Sequence, residues 1–226
     1  MMPGTLYIVS TPIGNLEDIT LRALRILKEV DLIGAEDTRK TKILLRHYNI
    51  KKSITSYFEH NEKFKTASLI RDLKSGKKIA LVSEAGTPTV SDPGYRLVRE
   101  AINQSIPIVP IPGVSAAIAG LSVSGLPVHR FAFEGFLPSK PGKRKNFLKK
   151  ISSEERTLIF YESPYRIAAT IKDMIAIFGD RPATLAREIT KLHEEALRGM
   201  LSTIFKHLEN VKVKGEITLI VEGCKT

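Results

Sequence analysis

"IALVSEAGTPTVSDPG", residues 79–94, begins as four unbroken apolar residues and then changes to small and turn-forming ones. A run of Ile79, Ala80, Leu81 and Val82 reads as a strand buried on both faces. A hairpin needs only two turn residues, yet about ten follow here, from Ser83 to Gly94. A strand that stops in a long, small-residue loop is the pattern of an open α/β sheet. There, ligands bind beyond the carboxyl ends of the strands.

The flanking sequence agrees. Strand-like runs at Leu6–Ser10, Leu32–Ala35, Ile54–Tyr57, Ile79–Ser83 and Ile106–Pro110 alternate with helical patterns at Leu21–Glu29, Thr38–His47, Asn61–Leu73 and Tyr95–Asn103. Strict alternation implies a parallel sheet covered on both faces. "PIPGVSAAIAGLSVSGLP", 110–127, is rich in small residues and flanked by proline and glycine. It reads as a domain crossing, giving an N-terminal α/β domain at 1–113 and a C-terminal α/β domain at 114–226. In the second half, strands are expected near Phe131–Glu134, Thr157–Tyr161, Thr184–Arg187 and Ile217–Glu222, with helices at Gly142–Ile151, Pro164–Phe178 and Leu201–Leu208. Direct strand-to-strand links there predict a mixed sheet.

Composition bounds the function. The 226 residues carry 35 basic and 24 acidic side chains, a net charge of +11. The excess is shared: 17 basic and 12 acidic in 1–113, 18 and 12 in 114–226. "SKPGKRKNFLKK", 139–150, has six basic residues and no acidic one. Such a field suits a polyanion, nucleic acid above all, or an anionic membrane face, with a plain solvated surface as the competing reading. Lys140, Lys143, Arg144, Lys145, Lys149 and Lys150 are the candidate RNA contacts. No apolar run reaches the ~18 residues of a membrane span. The single cysteine, Cys224, permits no internal disulfide. With no export signal evident, a cytoplasmic protein is expected.

Three small-residue loops follow strands of the first domain: "STPIGNLED" at 10–18, the stretch at 83–94, and "PIPGVSA" at 110–116. Each alone is consistent with plain turn chemistry. Three at one end of one sheet suggest backbone that lines a ligand. No G-x-G-x-x-G, Walker loop or G-x-S-x-G elbow is present, and the five histidines have no metal-ligand spacing, so no metal is expected. A neutral or zwitterionic ligand held by main chain remains.

The ordered set "LYIVSTPIGNLEDIT", "AEDTR", "SEAGTP", "SDPG", "PIPGVSA", "EGFLP", "LIFYESP" and "GEITLIVEG", running from Leu6 to Gly223, resembles one family. That family is ribosomal RNA small subunit methyltransferase I, within the tetrapyrrole-methylase-like superfamily. The resemblance implies S-adenosylmethionine as methyl donor, bound in a cleft between two α/β domains, and a homodimer. It implies 2′-O-methylation of a cytidine in the decoding region of 16S ribosomal RNA. Because the chain shows no recognised sequence-reading RNA module, the assembled 30S subunit, which supplies shape, is the expected partner. By motif position it assigns Pro12 and Gly14 to the first cofactor loop. Ser83, Glu84, Ala85, Gly86, Thr87 and Val90 fall in the second, and Ser115 and Ala116 in the third. Tyr161 and the turn Gly215, Glu216 and Ile217 would close the site from the second domain. The family usually has aspartate where this chain has Glu84, which carries its carboxylate about one bond further.

A 2′-hydroxyl needs its proton taken up or its anion stabilised. Glu36 and Asp37 in "AEDTR", and Glu188 and Lys191 in "REITK", are the candidate catalytic residues. A lysine of lowered pKa is one form of base; a surface ion pair is the competing role for each. Two alternatives stay open. One is a methyltransferase of the same scaffold acting on a tetrapyrrole or a protein side chain. The other is a non-catalytic RNA-binding protein.

Overall fold

The computed structural model describes residues 3–211 and 213–225. The chain forms two compact units, one ending at Ser115 and one beginning at Ala116.

In the first unit, β1 (Leu6–Val9), β2 (Leu32–Ala35), β3 (Ile54–Ser56), β4 (Ile79–Val82) and β5 (Ile108–Ile111) make one sheet in the order β3-β2-β4-β1-β5. Every pairing in it is parallel. The helices α1 (Leu21–Glu29), α2 (Thr38–His47), α3 (Glu62–Lys74) and α4 (Tyr95–Asn103) supply the crossovers. The two-residue period of β4 sorts its side chains. Ile79 and Leu81 pack with Leu69 and Leu73 of α3 and Leu97 of α4. Ala80 and Val82 pack with Ala23, Ile26 and Leu27 of α1 and Leu45 of α2. Caps set the helix starts: Thr20 accepts from the Ala23 N–H at 3.0 Å, and Asp37 accepts from the Arg39 N–H at 2.7 Å. The fifth strand begins two residues later than the sequence suggests, after Pro107.

Strands β1 and β4 are neighbours, but their outgoing chains run to opposite faces. The one from β1 leads to α1, the one from β4 to α4. This is the topological switch point where open α/β sheets bind ligands.

The second unit opens with α5 (Ala116–Ser122). It continues through β6 (Phe131–Phe136), α6 (Pro141–Lys150), β7 (Thr157–Glu162), α7 (Ile167–Phe178), β8 (Pro182–Arg187), β9 (Glu195–Met200), α8 (Leu201–Asn210) and β10 (Ile217–Val221). The sheet order is β6-β7-β10-β8-β9. Only β6–β7 is parallel; the other three pairings are antiparallel, so the sheet is mixed as expected. Leu158, Phe160, Leu185 and Leu219 face α7 and α8. Ile159, Ala186 and Ile220 face Ala117 and Leu121 of α5.

Strand β9 is absent from the sequence expectation. "EALRGM" contains no β-branched or aromatic residue, so local propensity gives no strand signal. Its pairing with β8 along six residues creates it.

Candidate functional site

The loops after β1 and β4 are stitched by an isolated antiparallel bridge. The Thr11 N–H donates to the Gly86 carbonyl and the Gly86 N–H to the Thr11 carbonyl, each at 2.9 Å. Hydroxyls extend the connection. Ser10 Oγ and Thr87 Oγ1 are 3.0 Å apart. Thr87 Oγ1 donates to the Val114 carbonyl at 3.4 Å, which reaches the loop after β5. A Cβ built on Gly113 would lie 2.8 Å from Ser10 Cβ, so only glycine allows that approach. Thus the structure brings together all three loops of the first unit, with Pro12 and Gly14 beyond Thr11 in the first. Ser83, Ala85, Gly86, Thr87 and Val90 follow along the second, and Ser115 ends the third.

The second loop is conformationally demanding. Gly86 has φ of 88°, and Thr89 and Ser91 have φ of 76° and 62°. Left-handed backbone at a β-branched residue costs roughly 1–3 kcal/mol and concentrates at functional sites. Ala116, assigned to this loop set by resemblance, is the first residue of α5 in the second unit.

An acidic group borders the second loop. Glu36 Oε2 accepts the Glu84 N–H at 3.0 Å, and the Glu84 carboxylate is ion-paired with the Lys40 ammonium. Asp37 is the N-cap of α2, and the Arg39 guanidinium holds its carboxyl below the usual range. Asp37 is therefore committed to the helix and is a weak proton acceptor. Asp92 was not among the sequence candidates. Burial pushes it up to about 7, and the charge of Glu36 adds to that. Its signal was present in "SDPG", an acid set in a small-residue loop.

The second unit gathers Glu188, Lys191 and Glu216 at one end of its sheet. Lys191 Nζ donates to Glu188 Oε1 at 2.9 Å and to Glu216 Oε2 at 3.0 Å. Glu188 Oε1 also accepts the Glu216 N–H at 2.9 Å. Burial pulls the Lys191 ammonium down, but the two carboxylates outweigh it and its pKa is raised. That reverses the expectation of a lysine of lowered pKa; Lys191 is a held cation. Glu188 is lowered: its bond from the Glu216 N–H and the Lys191 ammonium overcome its desolvation. Gly215 has φ of 89°, and a Cβ there would lie 2.3 Å from the Glu188 carboxyl. Ile217 begins β10 opposite Arg187 and Glu162. Tyr161 stands one residue along, its hydroxyl accepting the Ala117 N–H at 3.2 Å.

The basic run at 139–150 is not uniform. Lys140, Lys143, Lys149 and Lys150 are exposed on or beside α6. Arg144 is buried, donating to Asp173 Oδ2 through Nε at 2.8 Å and Nη2 at 2.6 Å. It cannot serve as a phosphate contact, which corrects the sequence expectation for that residue. Lys145 remains exposed but lies 3.5 Å from Asp173 Oδ1. Among the described residues, no group of His, Cys, Asp or Glu is placed to hold a metal, and no helix is long and apolar enough to cross a membrane.

Comparison with known proteins gives concordant results. The family described as Tetrapyrrole (Corrin/Porphyrin) Methylases matches residues 5–204. Ribosomal RNA small subunit methyltransferase I of Thermotoga maritima is 50% identical over 220 residues, covering 97% of this chain and 99% of that protein. The protein of the same name from Halalkalibacterium halodurans is 51% identical, covering 97% and 76%. Among solved structures, the uroporphyrin-III C-methyltransferase of Thermus thermophilus complexed with S-adenosyl homocysteine superposes with a TM-score of 0.66. It is 20% identical, with 97% of each chain covered.

Proposed function

The chain belongs to the tetrapyrrole methylase family and, within it, to ribosomal RNA small subunit methyltransferase I, and from that premise we propose that it methylates the 2′-oxygen of a cytidine in the decoding region of 16S ribosomal RNA. The observation that supports this reading is the stitched loop set at the β1–β4 switch point, in a chain half identical over nearly its whole length to a protein named ribosomal RNA small subunit methyltransferase I.

S-adenosylmethionine is the methyl donor of this family, and the loops fit it. Gly113 lets the third loop close on Ser10, and Gly86 sits at φ of 88° in the bridge to Thr11, so small residues and not bulky side chains line these loops. Pro12, Ser83, Ala85, Gly86, Thr87, Val90, Ser115 and Ala116 would hold it from these loops and from the start of α5. By the family resemblance, Tyr161 and Gly215–Ile217 are further candidate contacts. When bound, the sulfonium supplies an activated methyl group, so the chain's task is alignment and charge. Positioning alone contributes up to about 7–11 kcal/mol.

Glu188 and Glu216 keep Lys191 charged, so any part it takes in the reaction is that of a held ammonium and not of a neutral base. Glu36 serves to orient the Glu84 backbone, and Asp37 to start α2. The +11 charge, shared between both halves of the chain, favours an extended polyanion over a protein side chain or a small macrocycle that would fill only one site. The chain carries no recognised module that reads RNA sequence, so we infer that shape supplied by the assembled 30S subunit selects the site, with a homodimer as the working form and the cytoplasm as its compartment.

The test is to incubate unmodified subunits, and separately their extracted RNA, with labelled donor, then digest and separate nucleosides by mass spectrometry. Label on the ribose of a cytidine, faster on subunits, is expected. Label on a base would overturn the 2′-oxygen; equal rates would overturn the particle requirement.

A further inference from the structure

A second basic segment is divided along the sequence by a helix and a turn. Residues 39–52, "RKTKILLRHYNIKK", hold six lysines and arginines, and no carboxylate occurs from 38 to 58. In the structure this segment folds back on itself. Asn49, at φ of 54°, turns the chain after α2. The Asn49 N–H bonds to the Arg46 carbonyl at 3.1 Å, and the Ile50 N–H to the Leu45 carbonyl at 2.8 Å. The turn sets Lys51 and Lys52 beside the last turns of α2, and a groove of about 420 Å³ opens there, walled by Lys42, Arg46, Lys51 and Lys52.

Two cations of the segment are already engaged: Arg39 by Asp37 and Lys40 by Glu84. The four around the groove differ. Among the described residues, none of them makes an ion pair with a carboxylate. Simpler roles explain part of this. Arg46 lies in the last turn of α2, where a cation complements the helix dipole. Lysines before β3 discourage pairing at a sheet edge, and β3 is an edge strand. Neither role calls for Lys42, a turn earlier in the helix, nor for four uncompensated cations around one concavity.

We propose that this groove is a binding subsite for the phosphodiester backbone of the RNA substrate. The inference rests on the RNA reading above and adds a contact region in the first unit. Arg46 offers a planar fork of donors that matches phosphate oxygens. Lys42, Lys51 and Lys52 add point charges, and Asn49 is an amide donor on the rim. The lining includes no aromatic ring to stack a base, so the subsite fixes register and orientation and leaves base identity to other contacts.

The test compares Lys42→Gln/Arg46→Gln/Lys51→Gln with a control, Lys28→Gln/Lys63→Gln/Lys74→Gln, of equal charge change on exposed residues elsewhere in the unit. Affinity for extracted small-subunit RNA and for assembled subunits is measured against salt. S-adenosylmethionine binding by calorimetry reports whether each variant is folded. The groove variant should lower the log–log salt slope by roughly 2, at ~0.7 per single-strand contact, while the control shifts it by less than half as much and both bind the donor as wild type does. An unchanged slope, or an equal fall in the control, overturns the subsite. A fall seen with subunits but not with extracted RNA means an acidic protein partner, and also overturns it. If wild type itself neither binds nor methylates RNA, the substrate reading fails, and that failure is visible before any variant is made.

Discussion

Arg144 and Asp173 form a closed pair between α6 and α7, with Nε and Nη2 of the arginine both donating to one carboxylate oxygen, at 2.8 and 2.6 Å. Their side chains are 5% and 11% exposed. Removing one partner leaves a buried charge without compensation. Asp173→Ala should therefore lower the unfolding free energy by about 3–5 kcal/mol, while Arg144→Met with Asp173→Leu should retain most of it. Urea denaturation curves decide this. A single-mutant loss below about 1 kcal/mol would show the pair to be solvated.

Gly86→Val should weaken S-adenosylmethionine binding and cost stability. A Cβ at this position has room, with Ile13 Cγ2 at 3.6 Å and the Val114 carbonyl at 3.8 Å. The penalty comes from φ of 88° instead, roughly 1–2 kcal/mol for an L side chain and more for a β-branched one. To escape that strain the loop must shift and break the Thr11 bridge. Equal calorimetric heats and affinities in wild type and variant would remove this loop from the binding surface.

Asp92 imposes a pH dependence of known sign. Its folded pKa is raised, first by burial and then by Glu36, to about 7, above the ordinary carboxylate range near 4. The fold thus favours the protonated form. This group's contribution is full below about pH 4 and is lost as pH rises through about 7. Asp92→Asn escapes that loss, so its melting temperature relative to wild type should climb between pH 5 and pH 8. A flat difference across that range would contradict the burial of this carboxyl.

Lys191 separates two chemistries. If it acts by charge, Lys191→Arg retains much of the single-turnover methylation rate and Lys191→Met loses roughly 10²-fold or more. A neutral base would lose activity in both variants. The held ammonium, bonded by Glu188 at 2.9 Å and Glu216 at 3.0 Å, predicts the first outcome. A rate that rises through an ionisation near neutral pH in wild type and vanishes in Lys191→Arg would predict the second.

The residues that announced themselves did so through local physics. Ile79–Val82 had to be a central strand because nothing polar interrupts it, and Thr20 had to cap a helix because a leucine period follows. The three loops were legible because glycine, proline and small residues seldom crowd strand ends without cause. What stayed hidden depended on distant partners. Nothing in "GKRKN" marks Arg144 as the one cation whose side chain turns inward to Asp173, 29 residues on. Nothing in "EALRGM" specifies a strand until β8 lies beside it. The sign of the Lys191 shift also came from a partner 25 residues away, Glu216. The basic wall of the α2 groove needed the turn at Asn49 to join two clusters that look separate in the sequence.

The reciprocal pair of hydrogen bonds between Thr11 and Gly86 has a consequence for tempo. Two loops that share both a donor and an acceptor open together, so neither samples loose conformations while the other stays closed. The donor molecule then meets a finished surface instead of one that must first be ordered, and little conformational entropy is spent on capture. Observed association rates should rise linearly with donor concentration, without the plateau that a slow loop rearrangement would impose. The amide protons of Thr11 and Gly86 should likewise show the same protection against exchange once each is referred to its own intrinsic rate, as members of one opening unit.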